Sequence, residues 1–564
     1  MKHIEESDRH QLVLFQETLD DLVPNDNPVR VIDAFVDTLD LLALGFKFAR
    51  VDPERAGHPC YPPWVMLKLF IYGYFNKVRS ARRLQWLCET NIDAMWLTGR
   101  LTPDFRTIAD FRKDHAKQLK LVFKLFVKMC AELNLYSREI GVQDGSKFRA
   151  SNSKENNLTE SKLNKKLELL DEKIAKYLEE MGKNDAEEGE PQKYTQEEIE
   201  GMLRQVRERK GFYEDIQKKM KEEGISQVSL TDPDSRLMKS ANGGFDVCYN
   251  VQTIVDPASH MIGAYEVTSQ GNDMGLMSPL TEQLKEDLGI DMLEASADNG
   301  YMSKDDMLNC LMNGTIPHVP PKSGEDTHEF ELDYKAAEIT EGMLDSTAPG
   351  DIKACLEAGA LPNAYKGKGI AVTEIEVKQY ETDATDETDG ELCFTLNEEG
   401  TAVICPNGSK LGKVATLHGK GKTRFASKSA CRDCKDKCTA SAFKQVDLKD
   451  GQTTLTIRKY RAIKKVKITL RPDKDLIRNR KCVVEHPFGT VKRWMDGSYT
   501  LLMAKEKVSA DFALLFLSYN LKRAINMIGV QALIEGMREI TGEILKDYSR
   551  FLFFYCRIPT KLPA

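Results

Sequence analysis

Three acidic residues stand where metal-assisted phosphoryl chemistry would need them. Asp144 lies in Ile140-Gly-Val-Gln-Asp144-Gly145, Asp298 in Ala295-Ser-Ala-Asp298-Asn-Gly-Tyr301, and Glu485 in a cationic run that holds Arg478, Lys481, Lys492 and Arg493. Hard carboxylate oxygens hold Mg2+ or Mn2+, which complete their shells with water and phosphate oxygens. Two such ions roughly 3.5–4 Å apart can activate an attacking oxygen and stabilise a leaving one in an in-line displacement. A lone carboxylate among so many positive charges adds little to solubility, but it suits a place where metal ions and a nucleic-acid phosphate meet. Taken singly, each acid is better explained as structural, since Asp before Gly is a common turn pair. Their order joins them: an acid on a first strand, an acid on a later strand, an acid on a late helix.

The elements that must position these acids can be read from periodicity. Residues 1–135 form a helical N-terminal domain, with apolar positions recurring at three and four in Val31-Ile32-Phe35-Val36-Leu39 and Val65-Met66-Leu69-Phe70-Tyr74. Short helices follow over Ala81–Leu87, Ile92–Leu97 and Thr107–Lys113. With Arg79, Arg82, Arg83, Arg106 and Arg112 they compose either a DNA-binding unit of helix-turn-helix type or a plain bundle. From residue 136 the pattern turns to strands: one carrying Asp144 at its C-terminal end, then Val247–Val255, Met261–Val267, Leu293–Ala297 and Ile316–Val319, with a helix over Met274–Leu288. This series predicts an α/β core, a mixed sheet flanked by helices, over 136–322 and again over 475–564. A helix is expected from Asp475 to Trp494 with a kink at Pro487, and an apolar-periodic helix over Ala510–Ile528.

Two insertions interrupt the core. Over 158–224, Leu163, Leu167, Leu170, Ile174, Tyr177 and Met181, then Ile199, Met202, Val206, Tyr213, Ile216 and Met220, predict an antiparallel coiled-coil hairpin, either an interaction surface or a spacer. The second, 323–474, mixes short β-like runs with an acidic loop at Glu381–Glu391. It also carries Cys405-Pro-Asn-Gly and Cys431-Arg-Asp-Cys434-Lys-Asp-Lys-Cys438, the spacing of a four-cysteine zinc module over 405–438. Four thiolates would close the tetrahedron and leave no water position, which marks a folding staple; unmetallated or redox-active thiols are the alternative. Of the other cysteines, Cys60, Cys88, Cys130, Cys248 and Cys310 read as small core residues.

At 564 residues, 41% of them hydrophobic and 30% charged, the chain is folded but too long for one core, so two to four modules are expected. No stretch approaches the roughly 20 apolar residues that span a bilayer. The start, Met-Lys-His-Ile-Glu-Glu-Ser-Asp, has no apolar secretory core, so a cytoplasmic, nucleoid-associated location is expected, with no membrane partner. The net charge of −7 speaks against a polyanion partner only on average. Cys431–Arg493 carries 18 Lys and Arg against 7 Asp and Glu, and local field decides where a polyanion docks.

Asp144-Gly-Ser-Lys, Asn250-Val-Gln-Thr-Ile-Val-Asp256, Ala297-Asp298-Asn-Gly-Tyr301 and Glu485-His-Pro-Phe-Gly-Thr-Val-Lys492-Arg493 resemble the landmarks of bacterial insertion-sequence DDE transposases with a ribonuclease H-like core. His58-Pro-Cys-Tyr-Pro-Pro, Leu97-Thr-Gly and Pro103-Asp-Phe-Arg-Thr-Ile resemble the helical domain that precedes that core. The resemblance implies that Asp144, Asp298 and Glu485 bind two Mg2+ or Mn2+ ions. It also implies cleavage at the ends of a mobile element and joining to target DNA, by a homodimer or higher oligomer on double-stranded DNA. The family's helix element, a Tyr, an Arg, the catalytic Glu and a Lys at fixed spacing, is kept only as Glu485 and Lys492; its first two positions hold Arg478 and Lys481. Phosphate contacts are expected from Arg478, Lys481, Lys492 and Arg493, and from Arg82, Arg83 and Arg112 in the helical domain. His486 is either a catalytic assistant or a hydrogen-bonded structural residue. A catalytically inactive DNA-binding regulator, or a nuclease without strand joining, would carry the same fold.

Overall fold

The computed structural model describes residues 18–47, 60–186, 194–239, 243–380, 391–417, 421–434, 438–439, 441–458 and 460–540. His58 and most of the acidic stretch Glu381–Glu391 lie outside them. The chain divides into two compact units, residues 1–324 with 472–564, and residues 325–471.

The first unit opens with six helices: α1 (Pro28–Asp37), α2 (Pro63–Phe75), α3 (Ala81–Thr90), α4 (Ile92–Thr98), α5 (Phe105–Asp114) and α6 (Ala116–Glu132). Their starts follow local chemistry. Asn27 and Asp104 accept backbone N–H groups at the first turns of α1 and α5, and Pro occupies the first turn of α1 and of α2. Helix α2 is apolar nearly all round and correspondingly buried, the pattern of a central helix. Cys88 and Cys130 lie in this core, whereas Cys60 is exposed, contrary to the expectation for it.

The sheet follows: β1 (Ile140–Arg149), β2 (Asn157–Thr159), then α7 (Glu160–Ala186) and α8 (Gln196–Glu223), β3 (Gln227–Ser229), β4 (Arg236–Lys239), β5 (Phe245–Val255), β6 (Ile262–Thr268), α9 (Met277–Leu288), β7 (Leu293–Ser296), α10 (Lys304–Met312) and β8 (Thr315–His318). Its path is β4-β5-β1-β7-β8, with β6 also on β5. β1 pairs antiparallel with β5 and parallel with β7, and β7 pairs parallel with β8. The β2–β3 ladder clasps the base of the helical hairpin α7–α8, whose contacts are Leu163, Leu170, Tyr213 and Met220. Lys210 to Asp171 at 2.5 Å and Gln217 to Asn164 at 2.7 Å fix its antiparallel register. α8 starts on a Thr195–Glu198 capping box and ends on Gly224 at φ +64°, a left-handed conformation that glycine adopts without steric cost.

The second unit spans residues 325–471, a little inside the expected 323–474. It holds β9 (His328–Asp333), α11 (Glu341–Asp345), α12 (Pro349–Glu357), β10 (Ile370–Tyr380), β11 (Glu391–Leu396), β12 (Ala402–Ile404), β13 (Lys410–Leu417), β14 (Lys422–Ala426), α13 (Lys428–Arg432), β15 (Gln445–Lys449), β16 (Thr454–Arg458) and β17 (Tyr460–Leu470). Two sheets result, β10-β17-β9 and β15-β14-β13-β12-β11-β16. The second has a core of Phe394, Val403, Leu411, Phe425, Val446 and Leu448.

The chain then returns to the first unit through α14 (Lys474–Gly489) and α15 (Lys505–Ile528). α14 packs on β1 and β7, and the Ser296 hydroxyl donates to the Leu476 carbonyl at 3.3 Å. Pro487 lies inside α14, and from Thr490 to Trp494 the chain widens to a π turn, which absorbs a residue without a full break. α15 is buried along most of its length against α2, α6 and β6. No described helix is long and apolar enough to cross a membrane.

Candidate active site

Register explains how two acids far apart in sequence meet. Val142 on β1 is paired with Ser296 on β7, where the parallel ladder ends. Asp144 and Asp298 each stand two residues past that pair, so they emerge side by side at the C-terminal end of neighbouring parallel strands. Asp144 is nevertheless in the middle of its own strand, because the antiparallel ladder with β5 carries β1 on to Arg149. This corrects the expectation that the acid ends the strand.

The Asp144 carboxylate accepts the Gly145 N–H at 2.9 Å and pairs with Arg480 of α14 at 3.4 Å, its side chain one quarter exposed. Burial pushes its carboxyl up to about 6; Arg480 opposes the shift, and the negative charges of Asp298 and Asp273 add to it. Asp298 caps the short turn Asn299–Tyr301, accepting the Gly300 N–H at 2.8 Å. Buried Tyr301 lies within reach of the same charges, and its phenol is held well above its ordinary range by burial and by Asp273, Asp144 and Asp298. Asp144, Asp298, Asp273 and Arg480 thus lie within electrostatic reach of one another. Sequence reasoning missed Asp273 and Arg480; the available signal was the landmark Asn250-Val-Gln252, whose two amides both reach Asp273.

Glu485 is not in this group. It stands five residues beyond Arg480, about 140° further around the helix at 3.6 residues per turn. Its side chain is 67% exposed and pairs with Lys481 at 3.7 Å. Lys492 turns inward, donating to Ser146 Oγ at 2.6 Å and to the Lys147 carbonyl at 3.1 Å, with its ammonium over the Phe148 ring. Burial lowers its pKa, which the Asp144 charge partly offsets. His486 meets the Tyr519 hydroxyl at 2.9 Å; as that hydroxyl donates to the His260 carbonyl, Nδ1 of His486 is the donor, a structural arrangement. Among the described residues, no three His, Cys, Asp or Glu side chains converge closely enough to hold a metal ion.

Of the residues expected at DNA phosphates, Arg478, Lys481 and Arg493 are exposed, as are Arg82 and Arg83 on α3. Arg478 pairs with Asp475 at 3.3 Å, and Arg82 lies over the Phe105 ring. Arg112 is different. It is 6% exposed and donates to the Tyr74 hydroxyl at 2.7 Å, inside a network in which fully buried Asp511 of α15 meets Arg79 at 2.5 Å. Arg112 therefore ties α5 to α2 and α15 and is withdrawn as a DNA contact, because a guanidinium held against buried partners cannot reach phosphate.

In the second unit, Cys405, Cys431, Cys434 and Cys438 line one small pocket with Asn407 and Lys444. The Lys444 N–H approaches Cys431 Sγ at 3.4 Å and the Asn407 amide approaches Cys434 Sγ at 3.3 Å. Burial raises the Cys438 thiol pKa.

Comparison with known families gives two matches. A transposase domain (DUF772) matches residues 17–114, the helical N-terminal part, and a Transposase DDE domain matches residues 404–525, which include the cysteine cluster, α14 and most of α15. No curated protein and no solved structure matches the chain. A transposase domain at one end and a DDE domain toward the other support an insertion-sequence DDE transposase, and the two aspartates lie between the matched segments.

Proposed function

We propose that this transposase cleaves phosphodiester bonds at the ends of its element and joins them to target DNA, with two divalent cations, Mg2+ or Mn2+, held by Asp144, Asp298 and Glu485. The observation that carries the reading is the alignment of Asp144 and Asp298 past the Val142–Ser296 pair. The path β6-β5-β1-β7-β8, antiparallel and then parallel, supports a ribonuclease H-like core for them. When bound, the cations supply charge neutralisation at the scissile phosphate and activation of the attacking oxygen.

The chain's own residues orient and select. Asp144 and Asp298 present oxygens from a rigid sheet, and Arg480 offsets the Asp144 charge. Three carboxylates repel one another until a cation lies between them, and Glu485, exposed and paired with Lys481, stands apart from the two aspartates. Exposed Arg82, Arg83, Arg478, Lys481 and Arg493 orient double-stranded DNA through its phosphates, and assembly as a homodimer or higher oligomer pairs two element ends. For the four cysteines we assign a structural Zn2+, supported by the shared pocket and by the donors aimed at Cys431 and Cys434.

The test is incubation of the purified protein with Mg2+ and DNA carrying the element's termini, wild type beside Asp144→Asn and Glu485→Gln. Cleavage and joining by wild type alone, with binding kept in both variants, is the expected result. Binding without cleavage by wild type would make the protein a regulator, and cutting without joining a nuclease.

A further inference from the structure

Asn250 and Gln252 are two residues apart on β5, so their side chains share one face of the sheet. Each is 1% exposed, and both amides donate to a single atom, Oδ1 of Asp273, at 2.7 Å. Gln252 accepts in turn from the hydroxyl of buried Tyr301. Asp273 belongs to the stretch between β6 and α9, where a carboxylate could lie in water at no cost; instead two buried amides hold it against the sheet.

That clamp orients the other oxygen. Oδ2 of Asp273 faces Gly300, where an added Cβ would come within 3.4 Å of it and within 2.9 Å of Asp298 Oδ1. Gly145 is bare in the same way: a Cβ there would meet the Gln252 amide and lie 2.8 Å from Asp273 Oδ1. Two missing side chains thus leave Asp273 beside Asp298 and next to the residue that follows Asp144. The cations set against these three carboxylates are Arg480, paired with Asp144, and Lys492, engaged with Ser146. A negative charge is left over, on oxygens whose orientation is fixed. On the opposite face from Asn250 and Gln252, the register sets Thr253 directly across from Asp144. It is 1% exposed, and its hydroxyl, on the Asp144 side of the sheet, has no hydrogen-bond partner among the described residues.

We infer that Asp273 is a metal-binding carboxylate of the active site, sharing a divalent cation with Asp298, and that Asn250 and Gln252 are its positioning residues. The inference rests on the two-cation reading of the Asp144–Asp298 site. It gives the Asn250-Val-Gln252 landmark a physical purpose, and it separates that landmark from Asp256, whose carboxylate accepts hydrogen bonds from Ser137, Ala258 and Ser259.

Mn2+ titration of the full chain without DNA tests it, with wild type, Asp144→Asn, Asp273→Asn and Gln252→Leu side by side, and melting in EDTA read for each. Asp273→Asn and Gln252→Leu are expected to weaken Mn2+ binding by about tenfold or more, with Asp273→Asn melting like wild type. Wild-type affinity in Asp273→Asn, with binding lost in Asp144→Asn, would overturn the inference and leave the two-cation reading standing. Wild type binding no better than Asp144→Asn would sink both. A second measurement needs no variant: Fe2+ with ascorbate and peroxide should cut the wild-type backbone near Asp273 as well as near Asp298, and cuts confined to the Asp144 and Asp298 segments would also overturn the inference.

Discussion

Replacing Asp144 by Asn should strengthen the metal-free fold, by an amount that depends on pH. Burial, with the neighbouring Asp298 and Asp273, lifts the Asp144 carboxyl from the ordinary 3.8 to about 6 in spite of Arg480. Between those values the folded chain holds a proton that the unfolded chain has lost. Stability therefore falls as pH rises through the window from about 4 to 6, and the full cost persists above it. Below the window the acid is protonated in both states and the cost vanishes. A shift of this size corresponds to about 3 kcal/mol, and Asn, which cannot ionise, escapes it. Urea unfolding of both proteins in EDTA checks the sign and the size. At pH 8, Asp144→Asn should be the more stable by about 3 kcal/mol, and near pH 4 the two should coincide. Mn2+ at pH 8 should close the gap by stabilising wild type alone. A difference that is the same at both pH values, or a wild type more stable at pH 8, would refute the account of a carboxylate held against its own ionisation.

Three further outcomes follow from the packing. Asp511→Ala removes the common partner of Arg79 and Tyr74 and leaves buried cations unpaired, so chemical denaturation should reveal a loss of about 3–5 kcal/mol. Arg82→Ala with Arg83→Ala should weaken DNA binding evenly across sequences and reduce the slope of log affinity against log salt by about two, whereas Arg112→Ala should lower the melting temperature, measured without DNA. Cys431→Ser or Cys434→Ser should abolish zinc retained through dialysis, assayed by atomic absorption, and should loosen residues 325–471 in hydrogen exchange while leaving α2 and α15 protected.

By itself the sequence determined what depends on neighbours along the chain. The helices of the N-terminal part, the hairpin α7–α8 and the strand that carries Asp144 all follow from apolar spacing and end signals, which act over a turn or two of chain. The CxxC spacing and the clustering of basic residues were legible for the same reason. Only tertiary structure decided which side chains meet. An arginine looks the same in sequence whether it faces solvent, like Arg82, or is buried, like Arg112, and only the approach of α15 with Asp511 separates the two. Asp273 carries no periodic signal, and its place beside Asp298 depends on amides from another strand and on two glycines elsewhere. Glu485 was recognisable as an acid in a basic helix, yet the rotation of α14, set by burial of Val483, Val484, Pro487 and Phe488, turned Arg480 and not Glu485 toward Asp144. Local pattern specifies an element and its buried face; the partner across that face comes from chain hundreds of residues away, through packing that no local window contains.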